Sequence, residues 1–188
     1  MKRQKVLWIT TAASLCVALS AAATTILKMD LDELTNAAQV VARGRCVANE
    51  ARQEGGYIVT LTTFDVTETL KGGAARKITV RLLGGKVGHL KTTVDGVPQF
   101  RPGEDVFLFL EPTRAGDLTV TSWVQGTFRV RRDAQTGQES VTQDSAAHAV
   151  FDPSTRQFKA GGVRNMPVEM FRLRVREAVE RQRTGRLP

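Results

Sequence analysis

The sequence has few of the residues that build metal, redox and nucleic-acid sites. Of 188 residues, two are cysteine, two are histidine and one is tyrosine. Cys16 lies in the leading apolar stretch, so Cys46 has no disulfide partner in the remainder of the chain. The two histidines, His89 and His148, are far apart in sequence and do not make a ligand set. We therefore predict no metal and no cofactor.

Sequence motifs for nucleotide binding and for serine hydrolases are also missing. Residues 84–89 are glycine-rich but lack the Gly-Lys-Ser/Thr ending of a phosphate-binding loop, and there is no Gly-x-Ser-x-Gly elbow. Proteins that bind single-stranded nucleic acid interleave basic residues with aromatic ones. Here aromatics are only 6% of the chain. We predict no nucleic-acid partner.

The N-terminus has the three parts of a secretory signal peptide. Lys2, Arg3 and Lys5 precede an apolar run over residues 6–19, which is shorter than the ~20 residues that span a bilayer. Ala21 and Ala23 occupy the two positions that signal peptidase reads. This predicts a signal peptide over residues 1–23, a mature chain from Thr24, and export to the periplasm or the medium. No transmembrane segment is predicted after its removal.

The basic character of the chain is concentrated at its C-terminus. Three of the 27 basic residues and none of the 19 acidic residues lie in residues 1–23, so the mature chain carries a net charge of about +5. Residues 156–188 contain nine basic residues against three acidic ones. The rest of the mature chain is therefore close to neutral.

Residues 38–72 predict a long two-stranded hairpin around which the sheet is organised. Residues 40–48 alternate small or apolar positions with other side chains, and residues 57–70 are rich in Thr, Val and Ile. Glycines between them supply the positive φ of a tight turn. The apolar residues change parity along the second strand, which predicts a bulge near residues 62–63.

Four further strands are predicted, at residues 77–83, 105–110, 118–123 and 126–131. Residues 105–110 are apolar at both parities, which is typical of a strand that is buried on both faces. Residues 84–99 predict a glycine-rich connection with a hairpin around Asp95 and Gly96. Residues 133–164 predict a polar loop followed by a small hairpin.

Two helices are predicted, one at each end of the mature chain. Asp30 and Glu33 have the spacing of a capping box, so the first helix begins there and ends near residue 39. The second helix covers residues 165–184, with Asn165 as its cap and Pro167 in its first turn. Its apolar stripe consists of Val168, Phe171, Val175 and Val179.

Together these elements predict a mainly β protein, a small antiparallel OB-like β-barrel with an N-terminal helix and a C-terminal amphipathic helix. The predicted divisions are residues 1–23 (signal peptide), 24–132 (barrel domain with leading helix), 133–164 (polar loop and hairpin) and 165–184 (C-terminal helix).

The order of elements from residue 39 to residue 130 is similar to that of the netrin-like domain. A short helix is followed by AQVVARGRCV, TTFDVTETLKG, a strand, a glycine-rich loop, FRPGEDVFLFL, a Gly-Asp turn and a valine strand. The chain here resembles the N-terminal part of the tissue inhibitors of metalloproteinases. It also resembles a widespread group of uncharacterised secreted bacterial proteins, some of them associated with matrixin-type metalloproteases. The resemblance covers about half of the mature chain and implies a five-stranded OB-fold barrel with flanking helices.

The chain departs from those inhibitors at their inhibitory edge. They hold the catalytic zinc of the target through the amine and carbonyl of an N-terminal cysteine. This mature chain would begin at Thr24, with no cysteine there and none of the disulfides that fix that edge. No inhibitory residue is carried over, and the resemblance implies only the fold and protein binding.

We therefore predict an exported, non-catalytic binding or accessory module whose partner is a protein, with an exported metalloprotease as the candidate. Long loops on a rigid barrel commonly carry function, so the predicted contact surface is the loop over residues 84–100. The candidate binding residues are Lys86, His89, Lys91, Phe100 and Arg101.

Two alternatives remain open. The first is a small hydrolase that uses Cys46 or His89, with His148 as the other available base. The second is a structural protein of the cell envelope that makes a peripheral contact through its arginine-rich helix. The candidate docking residues of that helix are Arg172, Arg176 and Arg183.

Overall fold

The computed structural model describes residues 27–147 and 149–185. The predicted signal peptide over residues 1–23, the predicted start at Thr24 and His148 lie outside the described residues. The described helices are α1 (Leu31–Ala37) and α2 (Val168–Arg183). The described strands are β1 (Val40–Glu54), β2 (Tyr57–Lys71), β3 (Lys77–Leu83), β4 (Gly85–Val87), β5 (Leu90–Thr92), β6 (Asp105–Pro112), β7 (Leu118–Val120), β8 (Thr127–Arg132), β9 (Glu139–Gln143), β10 (Ala149–Asp152), β11 (Gln157–Ala160) and β12 (Met166–Pro167).

The capping box of α1 is present as predicted. The Asp30 carboxylate accepts from the Glu33 N–H at 2.8 Å, and the Glu33 carboxylate accepts from the Asp30 N–H at 2.8 Å. The helix ends earlier than predicted because Ala38 is already extended, with ψ at 136°. Lys71, at the end of β2, donates to the Thr35 carbonyl at 2.6 Å and so satisfies an acceptor in the last turn of α1.

The long hairpin of β1 and β2 is confirmed, and both strands extend further than predicted. Its turn consists of Gly55 and Gly56 with φ of 54° and 88°. The prediction of a bulge near residues 62–63 of β2 is wrong, because both residues pair in regular register. The nearest irregularity lies on the opposite strand, where Val47 is the extra residue. Thr62 faces inward because its hydroxyl is hydrogen-bonded there, so no bulge is needed at residues 62–63. The extra residues of β2 lie further along the strand, at Thr67 and Leu70.

The series of strand pairings that begins at β1 leads through β2, β3, β7 and β6 back to β1. β1 pairs with β2 along its whole length and with β6 over residues 40–45. β2 pairs with β3, β3 with β7, and β7 with β6. From β6 the sheet continues through β8 and β9 to β12. The protein is mainly β, as predicted, but the sheet is mixed because the β3–β7 bridge is parallel.

Strand β6 separates two hydrophobic clusters, as its doubly apolar sequence predicts. Val106, Leu108 and Leu110 face one cluster, and Phe107 and Phe109 face the other. The first cluster lies among β1, β2, β3, β6 and β7 and also contains Cys46, Phe64, Val80 and Phe100. The second is covered by the helices and includes Leu34, Val41, Phe128, Phe171 and Val175.

Three predictions between residues 84 and 168 need correction. The hairpin in the glycine-rich connection turns at Gly88 and His89, between β4 and β5, and not at residues 95–96. Residues 133–164 are not only a loop and a hairpin, because β9 pairs with β8 along its length. Its inward Gln143 is polar but is satisfied by donating to the Gln125 carbonyl at 2.6 Å, so a polar sequence forms an inner strand.

The hairpin of β10 and β11 is confirmed. Helix α2 begins at Val168 and not at Asn165, because Met166 and Pro167 first pair with β9. The Asn165 N–H donates to the Thr142 hydroxyl at 3.2 Å instead of capping the helix. The predicted apolar stripe of α2 is buried.

Candidate functional site

A cleft of about 320 Å³ lies between the hairpin of β1 and β2 and the connection from β3 to β6. Three parts of the chain form it: the inner face of the hairpin, the end of β3 with the start of β4, and the segment before β6. The lining residues are Asn49, Ala51, Thr60, Thr62, Leu82, Leu83, Gly84, Gly85, Lys86, Pro98, Gln99 and Phe100. The long connection that the sequence singled out therefore supplies about half of the lining.

Side-chain hydrogen bonds tie the two ends of this connection to the hairpin. The Thr60 hydroxyl donates to the Gly84 carbonyl at 2.7 Å. The Asn49 amide donates to the Phe100 carbonyl at 2.9 Å and accepts from the Thr62 hydroxyl at 2.7 Å. Thr62 is only 1% exposed whereas Asn49 is exposed, so these hydrogen bonds join the walls of the cleft from the core outward to the surface.

The start of β4 approaches the hairpin so closely that only glycine fits there. Gly85 has φ at +135°, and a Cβ at this position would lie 2.3 Å from the Thr60 hydroxyl oxygen and 3.1 Å from the Ala51 Cβ. Glycine tolerates this φ and presents no side chain. The absence of a Cβ at residue 85 therefore allows β4 to cross the inner face of β1 and β2.

The segment before β6 is anchored by Arg129 on β8. Its guanidinium donates to both carboxylate oxygens of Asp144 at 2.7 and 2.9 Å, to Glu104 at 2.6 Å and to the Gln99 carbonyl at 2.9 Å. It also lies over the Phe100 ring, 5.5 Å from the centroid. Burial opposes the charge of Arg129, but hydrogen bonding and attraction to Asp144 and Glu104 outweigh this and raise its pKa. One charged group thus positions both Gln99 and Phe100 at the cleft.

The structure brings only some of the predicted loop residues to the cleft. Lys86 lines it, and Phe100 lines it while being 6% exposed in the core. His89 lies in the turn between β4 and β5, Lys91 lies on β5, and the Arg101 N–H donates to Glu104 at 3.0 Å. These last three side chains are exposed and lie outside the lining.

Sequence reasoning missed the polar residues that build the cleft, Asn49, Thr60, Thr62 and Arg129. On a strand, polar residues are normally assigned to the solvent face. The available signal was parity, because residues 60 and 62 share the parity of the buried Ile58 and Phe64. Arg129 gave no such signal, since its partners lie in segments distant in sequence.

The three arginines proposed for docking are held by ion pairs within the chain. Arg172 binds Glu68 at 2.8 Å and also contacts Glu169, and Arg176 binds Glu68 at 3.3 Å. Arg183 pairs with Glu180 on the same helix at 3.1 Å. Arg172 in particular joins α2 to β2. The side chains of Arg176 and Arg183 nevertheless stay 64% and 72% exposed.

Cys46 lies inside the first hydrophobic cluster. It is 1% exposed, and both of its backbone groups are bonded to the segment before β6. Burial first, and the charge of Glu104 second, raise the pKa of the thiol. A nucleophilic cysteine needs an accessible thiolate, so this environment disfavours thiol chemistry.

The described residues, 27–147 and 149–185, contain no cluster of three or more His, Cys, Asp or Glu side chains that could hold a metal. They also contain no helix that is long and apolar enough to cross a membrane. No protein-family model matches the chain, and no curated protein is significantly similar to it.

Proposed function

We propose that the chain is an exported, non-catalytic binding module that recognises another protein at the cleft. The observation that carries the proposal is a cleft whose walls are joined by side-chain hydrogen bonds, beside cations that have no carboxylate partner. Lys86, Lys91 and Arg101 make no ion pair with any residue in the described part of the chain, whereas Arg43, Arg129 and Arg172 are each bound by carboxylates. Cations without internal partners are available to bind a ligand from outside.

The first alternative, a hydrolase, has less support from the geometry. Its thiol candidate, Cys46, is buried and its pKa is raised. Its imidazole candidate, His89, lies in an exposed turn between β4 and β5. The comparison of wild type with Cys46→Ser tests this alternative directly, since a binding module keeps its partner after the substitution and a thiol enzyme loses its activity.

For the fold we propose the OB-like barrel that the resemblance implies. Two observations support it. The pairings of β1, β2, β3, β7 and β6 return to β1, and one hydrophobic cluster lies among these five strands. This architecture would give the cleft a rigid base. The proposal of a metalloprotease partner is supported only by the resemblance to the netrin-like domain. The proposal of export is supported by the signal-peptide pattern of residues 1–23.

The function is tested by affinity capture. The mature chain from Thr24 is immobilised and exposed to periplasmic extract and culture medium of the source organism. The binding variant is Lys86→Glu with Lys91→Glu. The matched control makes the same change of charge in the exposed β10–β11 hairpin, with Arg156→Glu and Lys159→Glu. We expect one protein to be captured by wild type and by the control, and lost with the binding variant. Equal capture by all three chains would contradict binding at the cleft.

Export is tested separately by N-terminal sequencing of the protein from the same fractions. We expect the sequence to begin at Thr24. A chain that retains residues 1–23 would contradict the proposed export route.

A further inference from the structure

We propose that the partner binds as an extended, acidic segment that adds a strand to the unpaired edge of β1, next to the cleft. The inference rests on the proposed function and specifies the chemistry of its partner. It depends on three observations: an unpaired strand edge, the direction of its backbone groups, and the charge beside it.

One part of β1 has a strand on both sides and the other part has a strand on only one. Residues 40–45 pair with β2 and with β6. Within the described residues, residues 49–54 pair with β2 alone, and we call them the open half of β1. Unpaired backbone groups at a sheet edge form a template for a further strand.

The tight turn determines which backbone groups of the open half face outward. Glu54 and Tyr57 flank a two-residue turn, so they form a hydrogen-bonded pair. The next pair, Gln53 with Ile58, is then non-hydrogen-bonded, and its backbone groups point away from each other. In agreement with this, the Ile58 carbonyl accepts from the Gly84 N–H at 2.8 Å, on the far side of β2.

The alternation continues along the open half. The N–H and C=O groups of Gln53, Ala51 and Asn49 are therefore directed away from β2. In the middle of β1, Cys46 shows what such outward groups do when a neighbour is present, because its N–H donates to the Glu104 carbonyl at 2.8 Å. The bulge between residues 46 and 48 accounts for the change of parity. The open half thus offers three consecutive outward positions.

These outward positions adjoin the cleft. Asn49 and Ala51 are among its lining residues, and Pro98 and Gln99 lie in its other wall. A strand that paired with the open half would have alternate side chains on the side of the cleft. The open half carries its charged side chains, Glu50, Arg52 and Glu54, at the other parity, so the parity that adjoins the cleft is uncharged.

The charge beside the cleft selects an acidic segment. Residues 84–101 contain three basic residues and one acidic residue, Asp95. Lys86, Lys91 and Arg101 have no carboxylate partner among the residues that the structure describes. Charge complementarity of this kind steers association and rejects partners of like charge.

The probe is a pool of peptides of about seven residues, a typical strand length, with Glu or Asp at alternate positions and random residues between them. A second pool has Lys or Arg at the same positions. Both pools are passed over the immobilised mature chain and the retained peptides are quantified by mass spectrometry. We expect the acidic pool to be enriched about tenfold over the basic pool, and this enrichment to fall with added salt.

The backbone contribution is tested with Ala51→Pro. Proline removes an N–H that is not bonded to β2, so the hairpin and the thermal stability should be preserved, whereas strand addition is blocked. The matched control, Ala51→Ser, retains the N–H. We expect retention of the acidic pool to fall about tenfold for the proline variant and much less for the serine variant.

Amide hydrogen exchange distinguishes strand addition from binding through surface charge alone. With the acidic pool bound, the amides of Ala51 and Gln53 should exchange more slowly, while those of Glu50 and Arg52, already bonded to β2, should not change. Equal retention of the two pools, or an undiminished signal for Ala51→Pro, would overturn the inference.

The affinity capture described above distinguishes the two proposals. If wild type and Ala51→Pro capture the same protein equally, protein binding stands and strand addition is wrong. If wild type retains the acidic pool with the predicted exchange pattern but captures no protein, strand addition stands and the proposed partner class is wrong.

Discussion

The two halves of β1 have different surroundings although they belong to one continuous strand. Residues 40–46, which we call the closed half, include Val41, Ala42, Arg43 and Cys46, all at most 9% exposed. In the open half, residues 49–54, most positions are exposed. The difference arises from the neighbours, since β6 covers only the first part of the strand. The closed half contributes to the core, and the open half is where we propose that a further strand is added.

The largest effect is expected where β6 covers the closed half. Phe107 lies opposite Arg43, is 0% exposed and packs 4.9 Å from the Phe171 ring. We expect Phe107→Ala to lower the free energy of unfolding by about 3–5 kcal/mol, because it removes a buried ring and leaves a cavity. Chemical denaturation measures this. Tyr57→Ala, on β2 opposite Glu54 of the open half and 72% exposed, should change it by less than about 0.5 kcal/mol.

The buried ion pair of the closed half is the next most sensitive element. Arg43 binds Asp105 through Nε and Nη2 at 3.0 and 2.7 Å, and Glu139 at 2.9 Å. Hydrogen bonding to Asp105 is the main cause of its raised pKa. We expect Asp105→Ala to cost about 3 kcal/mol of unfolding free energy, because a mostly buried guanidinium loses its main partner.

The comparison for that pair is Arg52→Ala in the open half. Arg52 pairs with Glu54 but is half exposed, so the expected loss is below about 1 kcal/mol. Urea titrations of both variants measure the contrast. Equal losses would mean that burial does not distinguish the two halves of the strand.

A smaller effect is expected where β4 crosses the open half. Gly85→Ala places a Cβ against the Thr60 hydroxyl oxygen at a φ of +135°. We expect a loss of about 2 kcal/mol, together with displacement of β4 and weaker partner binding. Gly88→Ala, with φ at +58° and no atom within 4 Å of the added Cβ, should cost only about 1 kcal/mol. Thermal unfolding and partner capture measure the two consequences independently.

The smallest effect concerns the pH dependence of the same ion-pair cluster. Hydrogen bonding to Arg43 lowers the pKa of Glu139. Its contribution to stability is therefore complete above the pKa of the unfolded chain, about 4.3, and is lost as the pH falls through the lower pKa of the folded state. We expect the stability difference between wild type and Glu139→Gln to shrink as the pH falls from 7 towards 3.

A double-mutant cycle isolates that contribution. In an Arg43→Met background, Glu139→Gln should no longer change the pH dependence of unfolding below about pH 4.3. A difference that persists in this background would assign the effect to another partner of Glu139.

Local chemistry made several elements predictable. Asp30 and Glu33 form the capping box wherever the rest of the chain lies, because both partners are three residues apart. Gly55 and Gly56 determine the hairpin turn in the same way. The strand at residues 105–110 was recognisable because apolar residues at both parities have no stable position other than between two layers.

Contacts between distant segments defeated the same reasoning. From the sequence, Thr62 would be assigned to the surface. In the structure it is buried because its hydroxyl donates to the Asn49 side chain. From the sequence, residues 139–143 were predicted to be part of a loop. In the structure they form β9, which pairs with β8, and the Gln143 side chain donates to the Gln125 carbonyl. In each case a polar group was buried with a partner, and the sequence does not encode which partner will be near.

The sequence by itself determined the mainly β composition, the turn of the long hairpin and the first helix. These depend on periodicity, caps and turn residues, which act over a few neighbouring positions. Only the tertiary structure decided that the pairing of β6 with β1 ends at residue 45 of β1 and that Arg129 binds Gln99 and contacts Phe100. It also decided that Arg172 and Arg176 bind Glu68. Such features depend on which distant groups become neighbours, and that is set by the burial of the whole chain rather than by any local pattern.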